Sequence, residues 1–105
     1  MADQNGYLLN YGADEPEAYI LRLFIIGASP NSIRAVENIK AICEEHLAGR
    51  YDLQIVDIHQ QAGLAEEENV IALPLLIKKA PGAERRLIGD MSDTEKVLKG
   101  LGLKS

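Results

Sequence analysis

An eight-residue apolar run, YILRLFII at positions 19–26, is the feature that most constrains how this chain can fold. Its side chains are apolar on both alternating faces except at Arg22, which is typical of a strand that is covered on two sides. Gly27 ends the run, Ser29 can cap a helix, and Pro30 suits the first helical position, where its missing N–H would have no partner. The pattern therefore predicts a central strand that turns directly into a helix.

The predicted helix continues to about Leu47, and Gly49 ends it. Apolar residues recur in it at three- and four-residue steps, which defines one core-facing side. The residues predicted on that side are Ile33, Val36, Ile39, Ile42 or Cys43, and Leu47. The segment that follows, YDLQIVDI at 51–58, alternates like a half-exposed strand nearer a sheet edge. A strand, a helix and a strand in this order predict a parallel, right-handed βαβ unit.

The second half of the chain contains a short helix, a hairpin and a final helix. The short helix is expected over 62–72, with the glutamates at 66–68 on a solvated face. Pro74 cannot donate to a sheet ladder, so we place it at the entrance of the strand LLIKK. Pro81-Gly82 then turns the chain so that RRLI returns antiparallel to that strand. Ser92 and Glu95 have the spacing of a capping box, with Ser92 as the cap of the last helix.

The predicted order is βαβαββα, the thioredoxin-like arrangement of the α/β class. It has a four-stranded mixed sheet, with the first and third helices on one face and the second on the other. The 105 residues suit a single domain, which we place at 19–105. Residues 1–18 contain only scattered apolar side chains, which cannot repay the entropy of ordering, so a flexible tail is expected there.

Composition and charge restrict the compartment and the partners. Hydrophobic residues make up 47% of the chain, and no apolar run approaches the roughly 20 residues that span a bilayer, so no membrane partner is expected. The start of the chain does not resemble a secretory signal, and the single Cys43 cannot form an internal disulfide, so a soluble cytoplasmic protein is expected. A net charge of −5 argues against nucleic-acid binding.

The charge is distributed unevenly along the chain. Residues 1–74 hold four basic and twelve acidic side chains, whereas residues 75–105 hold seven basic and four acidic ones. The basic C-terminal third is either a solvated face or a docking surface for an acidic protein partner, since complementary charges steer encounter.

The strand-to-helix corner lacks the chemistry that such corners often carry. Thioredoxin-like oxidoreductases use a thiolate at the start of the first helix, where the helix dipole lowers the cysteine pKa. Here the corner reads GASPNS, and Cys43 lies about three helical turns away on the core-facing side. Disulfide exchange is therefore excluded, and capping explains Ser29 better than anion binding does.

No other cluster of residues indicates catalysis or a cofactor. His46 and His59 are far apart in the sequence and have too few other ligand types around them for a metal site. Asp57 and His59 lack a nucleophile. We therefore expect a protein without catalytic residues, metal or cofactor.

Three separated blocks of the sequence resemble the KaiB family of circadian-clock proteins. The blocks are YILRLFIIGASPNSIRAV, LAEEENVIALPLL and RRLIGDMSDTEKVL, and together they extend the similarity over residues 19–101. Within them lie the family's SPNS corner at 29–32, its LAEE segment at 64–67, and its paired arginines followed by Gly89-Asp90.

The resemblance implies a non-enzymatic regulator that binds the ring ATPase KaiC and, in cyanobacteria, helps to sequester KaiA. It also implies two forms: a thioredoxin-like form that binds the ring, and a tetrameric form whose second half is rearranged to the order βαββααβ. A homodimer or homotetramer is accordingly an open possibility.

The resemblance also assigns roles to individual residues. Exposed basic positions used at partner surfaces correspond to Arg34, Arg85 and Arg86. The positions that determine the fold correspond to Tyr19, Pro74, Gly89, Asp90 and Gly100, with Pro74 at the thioredoxin-like cis-proline position. For each of these residues, packing, strand entry or solubilising charge is the alternative explanation.

The chain departs from the family at two places, and the second of them favours the thioredoxin-like form. The chain has an added segment before Tyr19, and it ends at LKGLGLKS with Gly102 where cyanobacterial members carry an acidic residue. The alternative form turns the last helix into a strand, so a shortened end weakens it. We therefore predict the thioredoxin-like form, a prediction that fails if residues 92–101 lie within the sheet.

Two functions follow from the resemblance. The first is a KaiC-binding regulator in a circadian or stress-response system. The second is a sensor-like interaction module with a different partner, as in clock-linked histidine kinase pathways. An enzyme, such as a thiol-independent glutathione-binding protein, ranks third.

Overall fold

The computed structural model describes residues 18–104, so the tail expected at 1–18 lies outside the described residues except for Ala18. Seven elements follow one another in the predicted order βαβαββα. They are β1 (Tyr19–Ile25), α1 (Pro30–His46), β2 (Tyr51–Asp57), α2 (Ala62–Glu67), β3 (Leu75–Ala80), β4 (Arg85–Ile88) and α3 (Thr94–Gly100).

The four strands form one mixed sheet in the order β2-β1-β3-β4. β1 is central, as its apolar sequence predicts, and it pairs in parallel with β2 from Tyr19↔Tyr51 to Ile25↔Asp57. On its other side it pairs antiparallel with β3, and the predicted hairpin joins β3 to β4. Residues 94–100 form a helix, which confirms the prediction of the thioredoxin-like form.

The two faces of the sheet are covered by different helices. The larger core lies under α1 and α3 and includes Leu21 and Leu23 of β1. The smaller core includes Phe24 of β1, and Leu64 and Ala65 of α2 pack against it. The helices are therefore divided between the faces as predicted, because β1 presents apolar side chains in both directions.

α1 is turned slightly from the predicted orientation. Ile33 was expected in the core but is 47% exposed, whereas Ser32 and Ala35 are buried with Ile39 against the sheet. The small side chains of Ser32 and Ala35 let the start of the helix approach the sheet closely, and Ile33 is displaced outward. Cys43 is buried as expected, and burial together with the neighbouring Glu44 carboxylate raises the pKa of its thiol to about 11.

Two other predictions about the helices are wrong in detail. α2 ends at Glu67 instead of residue 72, since Asn69 has a positive φ of 56° that no right-handed helix contains. The cap of α3 is Asp93, whose carboxylate accepts a hydrogen bond from the Lys96 N–H at 3.2 Å. Ser92 was expected as the cap, but its N–H donates to the Asp90 carboxylate at 3.0 Å instead.

Glu68 joins the segment after α2 to three strands and is not the solvated residue that the sequence suggested. Its carboxylate lies 2.9 Å from Arg22 of β1, 2.8 Å from Lys79 of β3 and 3.5 Å from Arg86 of β4. Its side chain is only 12% exposed. The bond from Glu68 is the main cause of a raised pKa at Lys79, so this network favours the charged ammonium.

α3 approaches β4 closely at Gly100. An added Cβ there would lie 2.6 Å from Leu87 Cδ2 and 2.7 Å from Leu87 Cδ1. Leu87 packs against the larger core, so its side chain would have to shift to make room. The close contact between this helix and the edge strand therefore depends on the missing side chain at position 100.

We predict that Glu68→Gln destabilises the fold by about 1–3 kcal/mol, because three cations then share a site without their common carboxylate. Glu67→Gln is the matched control, since Glu67 is exposed and should change stability by less than about 0.5 kcal/mol. Urea unfolding of both variants measures the difference. Equal effects of the two substitutions would contradict the assigned role of Glu68.

We also predict that Gly100→Ala and Leu87→Ala are energetically coupled. With Leu87 truncated, Ala at position 100 should stabilise by up to about 1 kcal/mol through helix propensity. In the native background this gain should be smaller by about 0.5 kcal/mol or more, because the Leu87 side chain must move. Unfolding of the two single variants and the double variant measures the coupling, and additive effects would refute it.

Candidate functional site

The strand-to-helix corner between β1 and α1 is closed by hydrogen bonds among its own residues. Ser29 Oγ accepts from the Ser32 N–H at 3.3 Å, as predicted for the helix cap, and its hydroxyl donates to Ser32 Oγ at 2.8 Å. Ser32 Oγ in turn accepts from the Ile26 N–H at 3.1 Å. Both hydroxyls therefore bond within the corner, which gives them a structural role.

Asp57, at the end of β2, completes this corner. Its carboxylate accepts from the Gly27 N–H at 3.2 Å and from the His59 N–H at 3.0 Å. These two bonds, with the one from His59 the stronger cause, lower the pKa of Asp57. Asp57 therefore stays ionised and fixes the backbone around Gly27, where φ is +54°.

This corner does not contain the groups that thiol chemistry requires. A nucleophilic cysteine needs a lowered pKa and an accessible sulfur. Cys43 has neither, since it is fully buried and its thiol pKa is raised to about 11. Within the part of the chain that the structure describes, no group of three or more His, Cys, Asp or Glu side chains is placed to hold a metal ion.

Pro74 stands immediately before β3, where the sequence placed it. It is buried, and the Leu73–Pro74 peptide bond is cis. Its carbonyl accepts a hydrogen bond from the Gly89 N–H at 3.0 Å, which continues the pairing of β3 with β4. Two of the residues that the resemblance marks as determining the fold, Pro74 and Gly89, are thus directly bonded.

Arg34 links α1 to the loop between β4 and α3. Its Nε lies 3.1 Å from Asp90 Oδ2, and Asn38 of the same helix donates to the Asp90 carbonyl at 2.9 Å. Bonds from the Ser92 hydroxyl and N–H, and then from Arg34, lower the pKa of Asp90. Arg34 nevertheless keeps 53% of its side chain exposed, so a partner can reach it.

Arg85 and Arg86 point to opposite faces of the sheet. Arg85 pairs with Lys78 across the hairpin, on the side of the larger core, and it is exposed. Arg86 lies on the α2 side, where it contacts Glu84 at 3.2 Å as well as Glu68. The structure therefore does not bring Arg34, Arg85 and Arg86 into one cluster.

Tyr19 and Lys78 lie near the same end of the sheet. Tyr19 is buried, its N–H donates to the Arg50 carbonyl at 2.9 Å, and the Arg50 guanidinium lies 5.8 Å from its ring centre. Lys78 is only 6% exposed, and its ammonium donates to the Pro81 carbonyl. Lys78 was not among the residues predicted from the sequence. The signal for its burial is its position directly after the three apolar residues Leu75, Leu76 and Ile77 of a predicted strand.

No helix within residues 18–104 is long and apolar enough to cross a membrane. This agrees with the hydropathy of the sequence.

The fold resembles thioredoxins and the N-terminal domain of SasA. The N-terminal domain of Synechococcus elongatus SasA superposes with a TM-score of 0.67 at 25% identity, covering 87% of this chain and 90% of that one. Mitochondrial thioredoxin 3 from Saccharomyces cerevisiae also gives a TM-score of 0.67, at 14% identity, covering 82% of this chain and 78% of that one. At this identity the thioredoxin match concerns the fold alone.

Sequence comparisons give a more specific result. The circadian clock oscillator protein KaiB of Prochlorococcus marinus subsp. pastoris is 47% identical over 87 residues, which cover 83% of this chain and 81% of that protein. KaiB of a Synechococcus strain is 46% identical over 87 residues, covering 83% and 85%. The family model described as the KaiB domain matches residues 22–103. With the thiol-free corner and the thioredoxin-like sheet, these matches show that the chain belongs to the KaiB family.

Proposed function

We propose that this protein is a non-enzymatic regulator in a circadian or stress-response system and that it binds a KaiC-type ring ATPase. The observation that carries the proposal is the closed corner at Ser29 and Ser32, where the scaffold has hydrogen-bonded hydroxyls in place of a reactive thiol. A chain of the KaiB family with this corner is suited to binding a macromolecule. Its relatives are named circadian clock oscillator proteins, which supports the regulatory role.

The partner surface that we propose is basic. Arg85 is exposed, and no acidic side chain among residues 18–104 forms an ion pair with it. Arg34 is half exposed and Arg86 is 36% exposed, but both are already paired with carboxylates. An acidic partner can therefore form an ion pair with Arg85 directly. At Arg34 or Arg86 it first has to displace the carboxylate that is already paired there.

Several finer properties belong to the same proposal. The protein acts in the cytoplasm, it also contacts KaiA where that protein is present, and it can form a homodimer or homotetramer. We further propose that Tyr19, Pro74, Gly89, Asp90 and Gly100 set the balance with the rearranged form. Their contacts support this, because Gly89 and Asp90 lie in the loop between β4 and α3 and Gly100 packs α3 against Leu87 of β4, within the part of the chain that the resemblance gives as rearranged.

We predict that Arg85→Gln weakens binding to a KaiC-type ATPase by roughly tenfold, or about 1.4 kcal/mol, because an exposed guanidinium lies in the interface. Lys99→Gln is the control, since Lys99 is an exposed base on α3 with no ion pair to another residue among those described. Binding is measured by titration with light-scattering detection, with circular dichroism to establish that each variant is folded. Equal affinity of Arg85→Gln and the native chain would remove Arg85 from the interface.

The same titration decides between the two candidate functions. The second candidate is an interaction module of a histidine kinase pathway, which the resemblance to the KaiB family implies, and the fold similarity to the SasA N-terminal domain is compatible with it. In that case the chain co-purifies with a kinase or its response regulator and leaves the ring ATPase unbound. A mass increase with the ATPase and none with the kinase supports the first function, and the reverse result supports the second.

A further inference from the structure

Three basic side chains lie close together on the α2 side of the sheet. Arg22 of β1 and Arg86 of β4 both pair in register with the buried Ile77 of β3, so they stand on either side of it. Lys79 lies two residues farther along β3, and residues two apart on a strand share a face. Each of the three cations keeps between 30% and 36% of its side chain exposed, so a partner can reach it.

Two carboxylates contact these cations, and they differ in burial. The Glu68 carboxylate lies 2.8 to 3.5 Å from all three, and its side chain is only 12% exposed. Glu84 stands directly before β4 and is 43% exposed. It lies 3.3 Å from Lys79 and 3.2 Å from Arg86. A buried acid and an exposed acid therefore share the same two cations.

Lys79 and Arg86 converge on the Glu84 carboxylate. The Lys79 ammonium donates to one of its oxygens, Oε1, and the Arg86 Nε–H donates to the other, Oε2. These bonds, with the one from Arg86 the stronger cause, lower the pKa of Glu84, so its carboxylate stays charged. An ammonium and a guanidinium that point to one position at the surface form a site that fits a carboxylate.

Glu84 can leave this position easily, whereas Glu68 cannot. Ion pairs between exposed side chains contribute little to stability, because water and salt ions replace them. A buried carboxylate that loses its cations is far more costly, so Glu68 stays and continues to bind Lys79 and Arg86. The two cations therefore keep their positions when Glu84 moves away, and the carboxylate of another molecule can then bind between them.

We propose that Lys79 and Arg86 bind an aspartate or glutamate side chain of the protein partner, and that Glu84 occupies this site in the free chain as an internal competitor. Glu68 positions both cations and is not displaced. This role of Glu84 rests on the proposed function, because it concerns how the basic surface binds a KaiC-type ATPase. It adds that a carboxylate of the chain itself limits the affinity.

The first test measures the sign of the effect of Glu84 on binding to the ATPase at low salt. A competitor that is removed tightens binding, so Glu84→Gln should lower the dissociation constant roughly two- to fivefold, the range expected for one exposed ion pair. If Glu84 instead ordered Lys79 and Arg86 for the partner, the same substitution would weaken binding. Weaker binding therefore overturns the proposal.

Glu95→Gln is the matched control, since Glu95 is also an exposed glutamate in an ion pair, 2.7 Å from Lys104. It removes the same charge and one ion pair from α3, and it should leave the affinity unchanged. Equal affinities of the Glu84→Gln and Glu95→Gln variants would overturn the proposal, because the gain would then follow from net charge. The proposed function still stands in that case, provided that the native chain binds the ATPase.

The second test does not require the ATPase. A hexaglutamate peptide is titrated into the full chain labelled with nitrogen-15, and NMR follows the Nε–Hε signal of Arg86. The peptide should shift this signal, with a dissociation constant roughly two- to fivefold lower for Glu84→Gln than for the native chain or Glu95→Gln.

An Arg86 signal that hexaglutamate does not shift in Glu84→Gln would overturn the proposal, as would equal dissociation constants for that variant and the native chain. If the native chain leaves the ATPase unbound, the proposed function fails, and the peptide titration alone then decides for or against the site at Lys79 and Arg86.

Discussion

The burial of β1 on both faces is the constraint on which the rest of this structure depends. Leu21 and Leu23 on one face and Phe24 on the other are fully buried, so each face needs its own cover. α1 and α3 cover one face and α2 covers the other. Because β1 also pairs with a strand on each side, neither of its edges remains open. A single apolar run thus determines the central position of its strand and the need for helices on both sides.

The same constraint places the strand-to-helix corner at the end of the central strand, where this fold can present a reactive group. In this chain the corner is occupied by Ser29, Ser32 and Asp57, and their polar atoms bond to one another or to the local backbone. The only cysteine is in the core with a pKa raised to about 11. The charged contacts of the described residues include those on the β3–β4 hairpin and the Arg34–Asp90 pair between α1 and the β4–α3 loop.

The sequence predicts elements that depend on local pattern and misses features that depend on distant contacts. β1, the corner at Pro30 and the hairpin follow from periodicity and turn residues, and the structure confirms them. The buried Ser32, in contrast, depends on the distance between helix and sheet. From the sequence, Glu68 is predicted to be solvated, because its three basic partners lie 46, 11 and 18 positions away in the chain and no local pattern indicates them. Family resemblance identified Arg34 and Asp90, but only the structure shows that they contact each other.

The contacts of the arginines determine what a partner must do to bind. Arg85 forms no ion pair with a carboxylate among residues 18–104, so an acidic ligand can bind it without breaking such a pair. Arg34 differs, because its guanidinium bonds Asp90, and Asp90 also orders Ser92 at the start of the segment that leads into α3. Any ligand that takes Arg34 from Asp90 therefore removes one of the bonds that hold the β4–α3 loop against α1. Ligand binding at Arg34 therefore affects the segment after Gly89. Ligand binding at Arg85 affects the β3–β4 hairpin.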